Sequence, residues 1–295
     1  MSESQNTNGF VHLLSFDVEE YFQVEAASAS GVTADQWDSF PRRLAQSVDG
    51  ILSLLREHQT QATFFVLGWV ARHGPEIVRK IAAEGHEVAS HGMNHQMITR
   101  MEPEPFREDL RESRSRLEDL AGRRVLGYRA PTFSILRRTS WALDILAEEG
   151  YEYDSSVFPV RHDRYGVPEA PRWAHRAIGP AGNAILEIPP LTRRVCGTNV
   201  PVGGGGYMRL FPNWLLSSSI RKAQQAQHSA MIYLHPWEFD PGQPVLPMGR
   251  LSRWRHRVNL HRTAGKLQSL LKAFRFGSVQ QQLPDLKRTT LTMSY

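Results

Sequence analysis

The chain has 295 residues, of which 41% are hydrophobic, and a formal charge of +5 from 35 Lys and Arg against 30 Asp and Glu. That is apolar material enough for one α/β barrel domain, while no apolar run approaches the ~20 residues needed to span a bilayer and the opening Met1–Asn8 lacks the basic start and apolar stretch of a secretion signal. A lone Cys196 excludes an intramolecular disulfide and a thiolate metal site, so the expectation is one soluble, cytoplasmic domain over 11–295 behind a disordered tail, 1–10.

In chain order, short runs rich in Val, Ile, Phe or Tyr predict strands at 12–18, 62–67, 87–91, 125–129, 151–154, 184–188 and 229–235. Helical patterns intervene. Over 40–58, Leu44, Val48, Ile51, Leu52 and Leu55 recur at spacings of three and four, and 104–120, 139–149 and 213–227 behave alike. Strands separated by crossovers long enough for a helix are parallel neighbours, and seven of them predict a seven-stranded (β/α) barrel. The stretch 159–182 reads as loop. Gly203–Gly206 is not followed by Lys-Ser/Thr, so it is no phosphate-binding loop, and the expectation is a flexible rim loop near the substrate.

Five short signatures each follow a predicted strand: Asp17-Val18-Glu19, His91-Gly92-Met93-Asn94-His95, Arg129-Ala130-Pro131, Asp154-Ser155-Ser156 and Leu234-His235-Pro236. In a parallel barrel all of them converge on one rim. His91 and His95, four residues apart, can face one point and with one carboxylate form a two-histidine, one-carboxylate metal set. Asp17 and Glu19 point to the same side of an extended chain while Val18 turns into the wall. One acid can then bind a cation and stay ionised while the other takes a proton from an attacking water.

Together the signatures resemble the polysaccharide deacetylases, the NodB-like carbohydrate esterases, in order and spacing from about Leu13 to Trp237. The resemblance implies a distorted, single-domain, seven-stranded (β/α) barrel hydrolase that removes N-acetyl or O-acetyl groups from a polysaccharide or its lipid-linked oligosaccharide precursor, using a divalent metal with zinc the expected ion. It implies Asp17 as general base, His235 as general acid, Arg129 as the residue orienting the base and Asp154 as the acid holding the imidazole of His235. It further implies Glu19, His91 and His95 as metal ligands, with Glu20 the alternative to Glu19. The Thr132 N–H is implied as an oxyanion donor, and Leu234 as lining of the acetyl pocket. Phe16–Phe22 and Gly203–Arg209 resemble the branch found beside exopolysaccharide export genes. Gly92, where the family usually has Ser or Thr, and Thr132, where an aromatic is usual, depart from the pattern.

A basic C-terminal extension begins near 241. No Asp or Glu occurs between Pro241 and Pro284, whereas Arg250, Arg253, Arg255, Arg257, Arg262, Lys266, Lys272 and Arg275 do. The plain reading is a solvated helix face paired with acids elsewhere in the fold. The functional one is an anionic partner, either phosphate on a substrate carrier or the headgroups of an inner-membrane surface contacted peripherally. No nucleic-acid motif accompanies the charge. Two rival functions stand beside the hydrolase: a metal-free amidohydrolase of the same fold acting on a cyclic amide or ureide, and a noncatalytic carbohydrate-binding protein.

Overall fold

The computed structural model describes residues 10–295, so all of the expected tail except Phe10 lies outside the described residues. The strands in chain order are β1 (His12–Val18), β2 (Thr63–Val66), β3 (Glu87–Ser90), β4 (Gly127–Tyr128), β5 (Tyr153–Asp154), β6 (His175–Ile178), β7 (Ala184–Glu187), β8 (Thr192–Val195), β9 (Thr198–Pro201), β10 (Met231–Leu234), β11 (Phe276–Gly277) and β12 (Thr292–Ser294). Seven of them run parallel in the order β10-β1-β2-β3-β4-β5-β7, and these are the seven read from the sequence. Past β7, Pro190 bridges to Met231 of β10, and the Leu191 N–H donates to the Met231 carbonyl at 2.9 Å. The sheet thus closes into a distorted barrel through isolated bridges at this seam, in place of a continuous ladder.

Side-chain alternation divides this barrel into two cores. Leu13, Phe65, Ala89, Tyr153, Leu186 and Met231 face inward, and Val279 and Leu283 of the helix Val279–Leu286 join them. That helix plugs the floor: the Val279 N–H reaches Thr63 Oγ1 at 2.8 Å and the Gln280 N–H reaches Glu87 Oε2 at 2.8 Å, both on the first residues of their strands. Leu14, Phe16, Val18, Phe64, Val66, Ile232 and Leu234 face outward into the larger core, where Val48, Ile51, Leu52 and Leu55 of the helix Leu44–Glu57 cover them. The start of that helix is capped from the rim, since Glu20 Oε1 accepts the N–H groups of Arg43 at 2.9 Å and Leu44 at 3.0 Å.

Two readings of irregular segments need correction. The stretch 159–182, expected as loop, contains β6, which pairs antiparallel with β7 and parallel with β12. The glycine run is no flexible rim loop. Gly203 and Gly204 lie flat along the seam beside β10, with the Gly203 carbonyl accepting the Tyr233 N–H at 2.9 Å and Gly204 bridging to Tyr233. A Cβ on Gly204 would sit 1.8 Å from the Tyr233 carbonyl oxygen, so the closing strand leaves no room for a side chain. Because the obstacle is backbone, Gly204→Ala is expected to destabilise the fold by about 2–3 kcal/mol. Urea unfolding of the two proteins measures this; an unchanged midpoint contradicts the seam packing.

The C-terminal region folds as the helices Arg250–Arg257, Thr263–Ala273 and Val279–Leu286. Among the described residues no helix is long and apolar enough to cross a membrane.

Candidate active site

The inward column of β1 continues from Leu13 through Ser15 to Asp17, and the fully buried Arg129, just beyond β4, reaches across the barrel to it. One guanidinium nitrogen of Arg129 donates to Asp17 Oδ1 at 2.6 Å and to Ser15 Oγ at 2.9 Å; the other bonds Ser155 Oγ at 2.9 Å, and Nε bonds the Ser155 carbonyl at 3.2 Å. Its carbon lies 4.0 Å from the centre of the Phe65 ring. All three guanidinium nitrogens of Arg129 are thereby engaged, and Asp17 is held with Oδ2 turned towards His235 Nε2 at 3.8 Å.

Ligand atoms of Glu19, His91 and His95 all lie within 4.8 Å of one another. His91 and Glu19 are each aimed by a further contact. His91 Nδ1 lies 2.8 Å from the Arg129 carbonyl and must donate to it, which leaves the Nε2 lone pair for the site. Burial above all pushes the His91 pKa down to about 4, so the ring is neutral at pH 7. Glu19 Oε1 accepts the Trp237 indole N–H at 3.0 Å, while Oε2 is buried, without a hydrogen bond, 2.7 Å from His95 Nε2. Burial alone would raise the Glu19 carboxyl, but the facing His95, His235 and His91 hold it down at about 2. A neutral imidazole, an ionised carboxylate oxygen and a second imidazole around one point fit a divalent cation. Glu20, by contrast, is committed to capping its helix.

The chain reverses sharply between the two histidines, with Gly92 at φ 74° and His95 at φ 51°. The hydroxyl that a Ser or Thr would bring at position 92 is replaced from elsewhere. Ser90 Oγ accepts the Gly92 N–H at 3.2 Å, and both oxygens of Asp109 accept the Met93 N–H at 3.1 and 3.0 Å.

His235 corrects the expected role of Asp154. Among the described residues no hydrogen bond or ion pair joins the two. His235 Nδ1 instead lies 2.8 Å from Glu238 Oε1, which also accepts the His235 backbone N–H at 3.0 Å. The reason is local: Pro236–Phe239 is a 3-10 turn, in which residues three apart eclipse, so Glu238 folds back beneath the ring. Glu238 Oε2 is held at 2.7 Å by Nε of the buried Arg209, whose other nitrogens donate to the carbonyls of Arg255, His256 and Val258. Burial would lower the His235 pKa, but the Glu238 hydrogen bond and the charges of Glu19, Glu238 and Asp17 outweigh it and hold the imidazole up at about 9. Asp154 ends β5 opposite Glu187 of β7. Burial pushes both acids up, Asp154 to about 6. Asp154 takes the Ser156 hydroxyl, and Ser156 Oγ in turn accepts the Ala130 N–H at 2.7 Å, so this acid steadies the turn after Arg129.

Leu234 is likewise misplaced by the expectation. It is fully buried in the outer core, whereas Tyr233, one residue earlier, faces the rim. The Tyr233 ring packs 4.9 Å from Phe133, and Phe158 and Tyr165 extend an aromatic wall beside Arg129. Thr132 is half-buried in that turn, where it and Phe133 both take positive φ, 57° and 52°. Glu238, Arg209, Trp237 and Tyr233 are the site residues that sequence reasoning missed; a Glu three residues after His235, inside a Pro-initiated turn, was the available signal.

A parallel barrel whose strand ends gather a base-and-arginine pair, a carboxylate-and-histidine cluster and a carboxylate-held imidazole has the layout of a barrel hydrolase. Residues 30–153 match the family model described as Polysaccharide deacetylase, and residues 155–284 match a domain of unknown function, DUF3473. Over residues 30–153 the chain thus carries a domain of the polysaccharide deacetylase, NodB-like type. A chitooligosaccharide deacetylase of Bradyrhizobium sp. (strain ANU 289) is 29% identical over 152 residues, 50% of this chain and 67% of that protein. A second, from Rhizobium leguminosarum bv. trifolii, is 34% identical over 97 residues, 33% of this chain and 42% of its own length. A peptidoglycan-N-acetylglucosamine deacetylase of Bacillus cereus is 34% identical over 95 residues, 32% of this chain and 34% of that one. In fold, a crystal structure of a candidate polysaccharide deacetylase from Mycobacterium smegmatis covers 99% of this chain and 94% of its own, with a TM-score of 0.62 at 19% identity. A carbohydrate esterase family 4 pseudoenzyme from Bacillus anthracis covers 98% of this chain and 71% of its own, with a TM-score of 0.50 at 13% identity. Since a pseudoenzyme shares the barrel, activity has to be argued from side chains.

Proposed function

We propose that this protein removes acetyl groups, N-acetyl before O-acetyl, from an amino-sugar polysaccharide or from its lipid-linked oligosaccharide precursor on the cytoplasmic side of the membrane, in the exopolysaccharide branch of its family. The observation that carries the reading is the meeting of Glu19, His91 and His95 around one point, with Asp17 and His235 beside it. Glu19, His91 and His95 would hold a divalent ion, zinc by preference for this ligand set, and when bound it would supply Lewis-acid polarisation of the acetyl carbonyl. Asp17, oriented by Arg129, takes the proton of the attacking water. The Thr132 N–H is the oxyanion donor of the main chain. His235, kept protonated by Glu238, delivers a proton to the departing amine as the C–N bond breaks, and acetate leaves. Tyr233 and Phe133 shield the acetyl methyl from water.

The test is acetate release from N-acetylated chitooligosaccharide. Activity is expected in the protein as purified, to disappear after dialysis against a chelator, and to return with one equivalent of zinc or cobalt. Release that ignores the chelator, or turnover of cyclic ureides in place of acetylated sugars, points to the metal-free amidohydrolase reading and overturns this one. Binding of oligosaccharide without acetate release overturns it in favour of a noncatalytic protein.

A further inference from the structure

The helix Arg250–Arg257 carries its apolar residues on the wrong side for a globular protein. His256 is buried, yet Leu251 is 59% and Trp254 53% exposed, and Val245 in the loop before the helix is 59% exposed. At 100° per residue Arg250, Trp254, Leu251 and Arg255 fall in that angular order on the outward face, an apolar pair bracketed by two guanidinium groups. Among the described residues no carboxylate pairs with Arg250, Arg253 or Arg255, although ion pairs are common elsewhere on this surface. The sequence around the helix offers no acid between Pro241 and Pro284.

We propose that this helix docks on a bilayer surface bearing anionic lipid, with Trp254 and Leu251 entering the headgroup boundary and the flanking arginines meeting lipid phosphates. The inference rests on the hydrolase reading above and names where that enzyme meets a lipid-borne substrate. Apolar side chains turned outward between unpaired arginines match the two requirements of an interfacial helix, buried apolar area and attraction to anionic headgroups. A helix meant only to be solvated would have no use for the first. Placement strengthens the case. The His256 ring stacks 4.4 Å from Trp237, which stacks 5.1 Å from His235, and Arg209 ties the last carbonyls of the helix to Glu238. The docking face is thus carried by a helix whose opposite side packs on the rim that holds the candidate acid.

Co-sedimentation of the full-length protein with vesicles tests this, comparing phosphatidylcholine alone with a 7:3 phosphatidylcholine–phosphatidylglycerol mixture at about 0.1 M salt. Binding to the anionic vesicles is expected to exceed binding to neutral ones at least tenfold. The double variant Leu251→Ala, Trp254→Ala is expected to lose at least tenfold in vesicle binding while releasing acetate from soluble chitooligosaccharide at the wild-type rate. Arg250→Gln with Arg255→Gln is expected to remove the preference for anionic lipid. Vesicle binding unchanged in the apolar variant overturns the proposal. So does concentration-dependent dimerisation lost in that variant without any vesicle binding, which would make a second copy the occupant, and so does retention on a soluble anionic polysaccharide but not on vesicles. Because vesicle binding is read without turnover, an inactive protein that binds anionic vesicles supports this inference while removing the hydrolase reading.

Discussion

Asp17→Asn is expected to lower acetate release about 10²–10⁴-fold, the usual cost of removing a positioned general base. The substitution preserves shape: the amide oxygen can still accept from Arg129, but the group facing His235 at 3.8 Å becomes an amide that takes no proton. Stability has to be followed alongside, because the change leaves Arg129 buried without its counter-charge, and breaking a buried ion pair costs about 3–5 kcal/mol. The remaining bonds from Arg129 to Ser15 and Ser155 offset part of that, so a lowered melting temperature with an intact fold is expected at assay temperature. Bound divalent metal, measured by elemental analysis, should be unchanged, since Glu19, His91 and His95 are untouched. A folded Asp17→Asn protein with unchanged metal content and wild-type turnover would remove Asp17 from the reaction.

What the sequence made legible follows from periodicity. The barrel strands were readable because they are largely buried and rich in apolar residues, as β1 is with Leu13, Leu14, Phe16 and Val18 among seven buried positions. The side-chain period of two then sets Asp17 inward and Val18 outward without knowledge of the partner strands. The same rule, applied to β10, contradicts Leu234 as pocket lining, because its neighbours Tyr233 and His235 take the inward face. β6, β8, β9 and β12 were not legible. They are edge or excursion strands whose exposure breaks the apolar run, as Arg176, Arg193 and Arg194 show. The role of Gly203 and Gly204 depends on a backbone approach between segments about thirty residues apart, and a run of glycines announces only that side chains are unwelcome. Glu238 was missed because a strand-end histidine was matched to an acid on another strand, when a turn of 3-10 helix supplies one three residues later.

That substitution of one acid for another has a measurable consequence. Glu238→Gln is expected to lower turnover about 10²-fold at pH 8 and to move the alkaline limb of the rate profile to lower pH. In the native protein the imidazole of His235, held up at about 9, is charged through neutral pH, as a proton donor must be. Glutamine retains a hydrogen bond to Nδ1 but removes the charge, and the burial that opposes protonation then weighs more heavily. With the His235 pKa lowered, the loaded fraction falls as pH rises through the new value, so the defect is largest on the alkaline side and shrinks towards acid pH. A variant that merely distorted the site would lose activity by the same factor at every pH. Asp154→Asn provides the contrast, since its carboxyl contacts Ser156 and faces Glu187: it is expected to scale the rate through the Arg129 turn without shifting the limb. A shift produced by Asp154→Asn and absent from Glu238→Gln would return the imidazole to Asp154, against the 2.8 Å contact that assigns it to Glu238.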